Sequence, residues 1–150
     1  MGIVDEIIVA IKALLPGLTG FTQLDYEYDV ALNAEDRQAK KFGFIPKEAD
    51  FIEGRGMGFT TVDHTFQMIL TDDFKNFDDD TTQHTKLMAL YTTSQNAQVE
   101  FQKSRLALPT PGHLVMLISL SGIEEPEFLG ENNIVILRTN FKIQYKYRNN

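Results

Sequence analysis

The chain has 150 residues, with 14 Lys and Arg against 21 Asp and Glu, for a formal net charge of −7. This acidic balance argues against a surface devoted to nucleic-acid binding, because phosphate contacts require an excess of basic side chains. The lack of cysteine excludes disulfides, thiolate catalysis and Cys-ligated zinc. The length predicts one domain over residues 1–150, with a hydrophobic core of its own.

The first predicted element is an amphipathic helix. Apolar residues recur at helical spacing from Ile3 to Leu15, and Pro16-Gly17 predicts the end of the helix. Asp5 and Glu6 occupy the region where a secretory signal needs positive charge, so we interpret this segment as part of the folded protein. Alternating residues from Tyr26 to Leu32 then predict a first strand.

Residues 33–58 interrupt this regular pattern. Basic and aromatic side chains are interleaved here with acids, and glycines close the segment. We expect an extended arm or loop that becomes ordered on a partner. The interspersed acids favour a protein partner over DNA. The candidate residues for this protein contact are Arg37, Lys40, Lys41, Phe42, Phe44 and Arg55.

A second strand is predicted over Phe59–Thr71, with His64 on its apolar face as a hydrogen-bonded core or interface residue. An acidic turn and a helix over residues 81–105 follow, with Asp80 or Thr81 as the helix N-cap. The short apolar run His113–Leu120 predicts a central strand buried on both faces.

The most regular pattern is the alternation of apolar and polar residues over Val135–Tyr147, which predicts a long strand with one buried face, placed at an edge of the sheet. The order of elements predicts an α+β fold. We expect a mostly antiparallel sheet of four to five strands, two helices on one face, and the long arm.

No pattern in the sequence predicts catalysis, a metal site or a bound cofactor. The three histidines, His64, His84 and His113, lack the i, i+4 spacing of a helical zinc site. The aspartates at positions 72–80 do not follow the EF-hand spacing. A small metal-dependent enzyme built on these aspartates and His84 is the alternative from another functional class, and we expect no enzymatic activity.

The order of parts resembles the tail terminator (tail-completion or neck) proteins of tailed bacteriophages. The resemblance rests on the N-terminal helix, the first strand and the segments 40–44, 63–71, 99–103, 124–128 and 135–148. It implies a homohexameric ring that ends growth of the tail tube and joins the tail to the head connector. It also implies location in the virion, assembly in the host cytoplasm, and a channel through which DNA passes without specific binding.

The resemblance suggests partners and a role for the acidic segments. The expected partners are further copies of the chain, the tail-tube protein and the head-tail connector protein, with no membrane. The candidates for an acidic channel lining or docking surface are Asp72, Asp73, Asp78, Asp79, Asp80, Glu124, Glu125 and Glu127. Another head-tail connector protein, a head-completion protein or a tail-tube subunit remains the alternative within phage biology.

Overall fold

A mixed sheet with two helices on one face forms the fold. This computed structural model describes residues 2–24, 27–28, 40–52, 58–75, 78–103, 106–129 and 133–148. The elements in chain order are α1 (Ile3–Thr19), β1 (Thr22–Gln23), β2 (Lys41–Ile52), β3 (Phe59–Asp73), α2 (Asp80–Lys103), β4 (Leu114–Ile123), β5 (Glu127–Leu129) and β6 (Ile134–Arg148).

The sheet has the strand order β1-β2-β3-β6-β4, and β5 pairs with β6 on the same side as β4. The two-residue β1 runs parallel to β2, and all other pairs are antiparallel. The predicted α+β class and mostly antiparallel sheet are therefore confirmed.

Strands β3 and β6 form the centre of the sheet and pair along their whole length, from Phe59 opposite Arg148 to Asp73 opposite Ile134. Both were predicted from their alternation. On the face covered by the helices, Phe66 and Phe141 lie opposite each other and are fully buried. These side chains and their neighbours form the main core.

The opposite face of the sheet, which we call the far face, carries a smaller core at one end. Leu24, Ile45, Ile69, Ile134 and Ile136 are buried together there, with Leu129 against them. Apart from Phe59, the rest of the far face on β3 and β6 is polar, including Thr65, Lys142 and Gln144.

Helix α1 buries Ile3, Ile7, Ile11 and Leu15, one residue per turn on a single stripe. The predicted stop at Pro16-Gly17 is wrong, because the helix continues to Thr19. It ends where Gly20 takes a left-handed conformation (φ +70°) and its N–H donates to the Pro16 carbonyl at 2.9 Å.

Helix α2 packs Leu90, Ser94, Ala97 and Phe101 against the sheet. Its N-cap is Asp79, one residue before the predicted positions, since the Asp79 carboxylate accepts the Thr82 N–H at 2.7 Å. The buried Ser94 and Thr139 hydroxyls bond to each other at 2.8 Å and join the helix to β6.

Three predictions about the sheet need correction. The apolar run 114–120 lies in β4, which is an edge strand with several exposed side chains and is not a central strand. The final strand β6 is central and is not an edge. Residues 41–52, predicted to lie in an arm, form strand β2 paired with β3. Most of the predicted strand 26–32 and the remainder of the arm lie outside the described residues.

Candidate functional site

Of the candidate contact residues at positions 40–44, the lysines lie at the surface and the phenylalanines lie in the core. Lys40 is exposed, just before β2, and has a left-handed backbone (φ +67°). Lys41 is half-buried, whereas Phe42 and Phe44 are each 1% exposed, and the Phe44 ring stacks on Phe66 at 5.5 Å. Partner contact through the Phe42 and Phe44 side chains does not fit this burial, because both fill the chain's own core.

Two of the six predicted contact residues, Arg37 and Arg55, lie outside the described residues. The first half of β2 is covered on its outer side by the chain itself. β1 pairs with Lys41 and Phe42. Glu27 then accepts the Phe44 N–H at 3.0 Å and binds the Lys12 ammonium at 2.6 Å. The outer edge of β2 is therefore closed up to Phe44.

The acidic stretch around positions 72–80 is organised by one lysine. The Lys86 ammonium lies 3.0 Å from Asp73 Oδ2 and 3.3 Å from Asp78 Oδ2, so it joins the end of β3 to the turn before α2. Burial alone lowers the pKa of Lys86, but its hydrogen bonds to these two carboxylates raise it overall. This ion-pair network accounts for both acids without a metal ion.

The pKa values of Asp72 and Asp73 shift in opposite directions although the two residues are neighbours. Asp72 is buried, and burial together with the adjacent Asp73 carboxylate raises the pKa of Asp72 to about 6. Burial also acts to raise the pKa of Asp73, but hydrogen bonds from Asp72 and Lys86 outweigh it and lower that pKa. Hydrogen bonds from Thr82 lower the pKa of the capping Asp79, and Asp80 is exposed in the first turn of α2.

The second acidic group, Glu124, Glu125 and Glu127, lies around β5. Glu124 Oε2 accepts hydrogen bonds from Gln67 Nε2 at 2.6 Å and from Asn140 Nδ2 at 3.1 Å. Glu127 forms an ion pair with Arg138, and Glu125 is exposed. The Phe74 and Phe128 rings, 5.0 Å apart, bring the two acidic groups to one end of the sheet.

Two buried polar clusters join distant parts of the chain. The Glu6 carboxylate is 3% exposed, accepts a hydrogen bond from Thr110 and lies 2.5 Å from His113 Nδ1. Burial acts to raise the pKa of Glu6, but the hydrogen bonds from Thr110 and His113 lower it overall. The helical pattern gives no signal for this cluster, because its partners are more than 100 residues away.

His64 is buried and hydrogen-bonded, as predicted. Its Nε2 lies 3.1 Å from the Lys47 carbonyl, which can only accept, so Nε2 carries the proton and Nδ1 accepts from the Tyr145 hydroxyl at 2.8 Å. Burial lowers the pKa of His64 and, with the neighbouring Tyr147, raises the pKa of Tyr145 to about 12. This pair stabilises β2, β3 and β6, and both groups stay neutral at physiological pH.

The outer edges of β4 and of the second half of β2 carry most of the exposed apolar side chains of the described strands, and Phe128 on β5 is a further one. On β4, the exposed side chains are Leu114, Met116, Leu117 and Leu120. On the second half of β2, Phe51 is 70% exposed and Ile52 is also exposed. Within the described residues, no strand pairs with the outer edge of β4 or with β2 beyond Phe44. Unpaired N–H and C=O groups at such edges are available to another chain.

The described residues contain no group of three or more His, Asp or Glu side chains placed to hold a metal ion. Neither α1 nor α2, the helices of the described ranges, has the length and apolar character that a membrane crossing requires.

Comparison with protein families gives no match, and comparison with curated proteins gives none either. Among solved structures, the chain is similar to one in the virion of a native gene transfer agent (GTA) particle. The two share 14% sequence identity with a TM-score of 0.62, over 97% of this chain and 98% of the other. At this identity the likeness shows a shared fold along nearly the whole length of both chains.

Proposed function

We propose that the chain is a structural virion protein that forms a hexameric ring at the head-proximal end of a phage tail. There it ends growth of the tail tube, joins the tail to the head connector and leaves a channel for DNA. The proposal assigns it no catalytic role. The observation that carries it is the fold shared, end to end, with a chain of the GTA virion.

Two further observations support an assembling protein. In the part of the chain that the structure describes, no strand pairs with the outer edge of β4 or with the second half of β2 on its outer side, and a ring of identical subunits needs two different patches on each copy. The net charge of −7 suits a channel that DNA crosses, since an acidic wall repels phosphates. The acids at the Phe74–Phe128 end of the sheet are our candidates for that wall or for docking on a basic partner.

Lys40 and Lys41 are the described basic residues we assign to the contact with the neighbouring subunit or the tail tube. Charge reversal at both positions (K40E with K41E) should weaken assembly and leave the domain folded, because neither side chain belongs to the core. Sedimentation would report assembly and circular dichroism the fold. The matched control is reversal of Lys103, an exposed lysine at the end of α2. If the double variant assembles on tails as well as the wild type does, this assignment is wrong.

Native mass measurement and negative-stain imaging of one sample test the proposed function. A closed ring, or a monomer that becomes a ring only when tail tubes are added, supports a terminator. Polymerisation into long tubes would identify a tail-tube subunit instead. A ring that binds head connectors but not tail tubes would identify another connector or head-completion protein. A monomer that binds neither partner would overturn the proposal.

A further inference from the structure

We propose that the edge strand β4 of one copy pairs, antiparallel, with residues 47–52 of β2 in the next copy. In this arrangement Phe51 of the next copy enters an apolar pocket beside β4. The occupant of the open edge is thus a second copy of this chain, arranged head to tail. The inference rests on the proposed function only in requiring that copies of the chain associate.

The β4 edge lacks the charged and proline residues that protect many edge strands, and its register with β6 shifts between Val115 and Leu117 and between Leu120 and Gly122. Its sequence, Leu114–Ile123, contains no charged residue and no proline. Edge strands of monomeric proteins are usually protected by charges, prolines or a covering segment. In the described structure β6 is the strand that pairs with β4, so its outer backbone groups and its exposed leucines are open to another strand.

A pocket of about 210 Å³ with mostly apolar lining residues lies beside this edge. It is formed by Phe101 and Gln102 at the end of α2, by Leu106 after the helix, and by β4 residues 115–118. Added strands bind through main-chain hydrogen bonds and gain specificity from side chains that enter such pockets. The pocket therefore fits a strand that carries a large apolar side chain on the helix-covered face.

The second half of β2 is such a strand. Phe51 lies opposite Val62 on the helix-covered face, and its ring is 70% exposed. Residues 49–52 pair with β3 on one side, and no described strand pairs with them on the other. Because Phe51 is 70% exposed, it gains little stability from the folding of its own chain and would gain more by entering a pocket of another copy.

Strand direction allows the two edges to join. The long strands alternate in direction in the order β2, β3, β6 and β4, and their number is even. A rotation about an axis parallel to the strands keeps the direction of each strand. It therefore places β2 of the next copy antiparallel to β4, and the alternation continues around the ring.

The register places Phe51 at the pocket. Phe51 lies opposite Val62, Val62 opposite Tyr145, and Tyr145 opposite Val115, so these residues form one row across the sheet. If the row continues into the next copy, Phe51 of that copy lies beside Val115, which lines the pocket. By the same pairing, Ile52 of the next copy lies beside Leu114.

The charges on the far face are complementary across this contact. The open part of β2 carries Glu48 and Asp50, with Lys47 as its basic residue, and Asp63 lies opposite Asp50. Next to β4, the far face of β6 carries Lys142 and Lys146. β4 itself carries no charge and these lysines lie one strand further in, so head-to-tail pairing brings the acids of β2 towards two lysines, whereas pairing of β4 with β4 brings no opposite charges together.

Disulfide cross-linking tests the pairing, and the chain has no cysteine to interfere. The double variant I52C with L114C places two exposed sulfurs on directly opposed residues of the proposed strand pair. Such residues have Cα atoms about 5 Å apart, within the range of a disulfide. We expect oxidation to give a covalent ladder on a denaturing gel, ending at the ring size. Each single variant should remain a single chain.

Every other outcome overturns the inference. A dimer formed by L114C alone would show two-fold pairing of β4 with β4. Wild-type rings without a ladder from I52C/L114C would place the contact elsewhere and leave the proposed function intact. A wild-type chain that stays monomeric at all concentrations and on tail tubes would remove both proposals. Circular dichroism and thermal unfolding of the Cys variants confirm that the comparison is made between folded proteins.

Discussion

Replacing Asp72 by Asn should stabilise the protein at neutral and higher pH. Asp72 is buried, and its pKa rises from 3.8 to about 6 because of burial and the adjacent Asp73 carboxylate. A difference of about 2 between the folded and unfolded pKa values corresponds to about 3 kcal/mol. Asn removes the charge and keeps the side-chain oxygen that accepts the Asp73 N–H at 2.8 Å. The expected gain is therefore on the order of 3 kcal/mol.

The sign of the pH dependence follows from linkage. A carboxyl whose folded pKa is raised binds its proton more tightly in the folded state, so its ionisation lowers the free energy of unfolding as pH rises. The wild type should lose stability relative to D72N between pH 3.8 and about 6. The full difference should be present above that interval and should vanish below it.

Urea unfolding of the wild type and D72N, measured below and above this pH interval, gives the two free energies. The matched control is D73N, which changes the neighbouring carboxylate. In D73N the Lys86 ammonium loses the carboxylate that lies 3.0 Å away, so this variant should not show the gain expected of D72N at high pH. A D72N variant no more stable than the wild type above pH 6, or equally stabilised at all pH values, would refute this reasoning.

Two further predictions concern the buried polar clusters. Tyr145→Phe leaves His64 Nδ1 without the donor that now lies 2.8 Å away, so urea unfolding should show a loss of about 1–3 kcal/mol. Tyr147→Phe, on a less buried ring of the same strand, is its control. Glu6→Gln should lower the melting temperature at neutral pH, because the lowered pKa of Glu6 means that its charged form stabilises the fold. This deficit should disappear as pH falls through the pKa of Glu6, and a deficit that persists in acid would contradict the role of its charge.

The long central strands could be predicted from the sequence because their alternation records burial directly. In β3 and β6, residues two apart share a face over the whole strand, and one face is the core. The alternation gave no information about position in the sheet. It could not show that β6 is central, because strand order depends on pairings between residues far apart in the chain.

Strand β2 was missed because its alternation is broken. The register with β3 shifts between Pro46 and Ala49, so residues before and after this bulge follow different phases. The charged residues Lys47, Glu48 and Asp50 are exposed, which is typical of an edge strand but resembles a loop in the sequence. Phe42 and Phe44 precede the bulge. Their burial could not be predicted, because charged residues surround them in the sequence.

Strand β4 shows the opposite error. An unbroken apolar run predicts a strand buried on both faces. In the structure Leu114 and Leu117 are exposed at the edge of the sheet, and Ile118 is the buried residue. An apolar run predicts that its residues are shielded from water. It does not tell whether they are buried by the same chain or by another copy of it. The failed prediction at β4 is therefore consistent with burial in an assembly.

Replacing a phenylalanine by alanine at two positions distinguishes burial within the chain from burial between copies. Phe66 is fully buried in the core, so Phe66→Ala should cost about 3–5 kcal/mol of folding stability. Phe51 is 70% exposed, so Phe51→Ala should change the stability of the monomer by less than about 0.5 kcal/mol. In the assembled protein, however, Phe51→Ala should release subunits at concentrations where the wild type remains a ring, since the pocket beside Phe101 loses its occupant.

Equilibrium unfolding of dilute monomer and sedimentation across a concentration series would measure the two effects separately. Phe128→Ala is the control for association, because Phe128 is also exposed but lies against Phe74 at the other end of the sheet. If Phe51→Ala assembles like the wild type while Phe128→Ala does not, the contact lies at the acidic end of the sheet. The exposed leucines of β4 would then need a different partner.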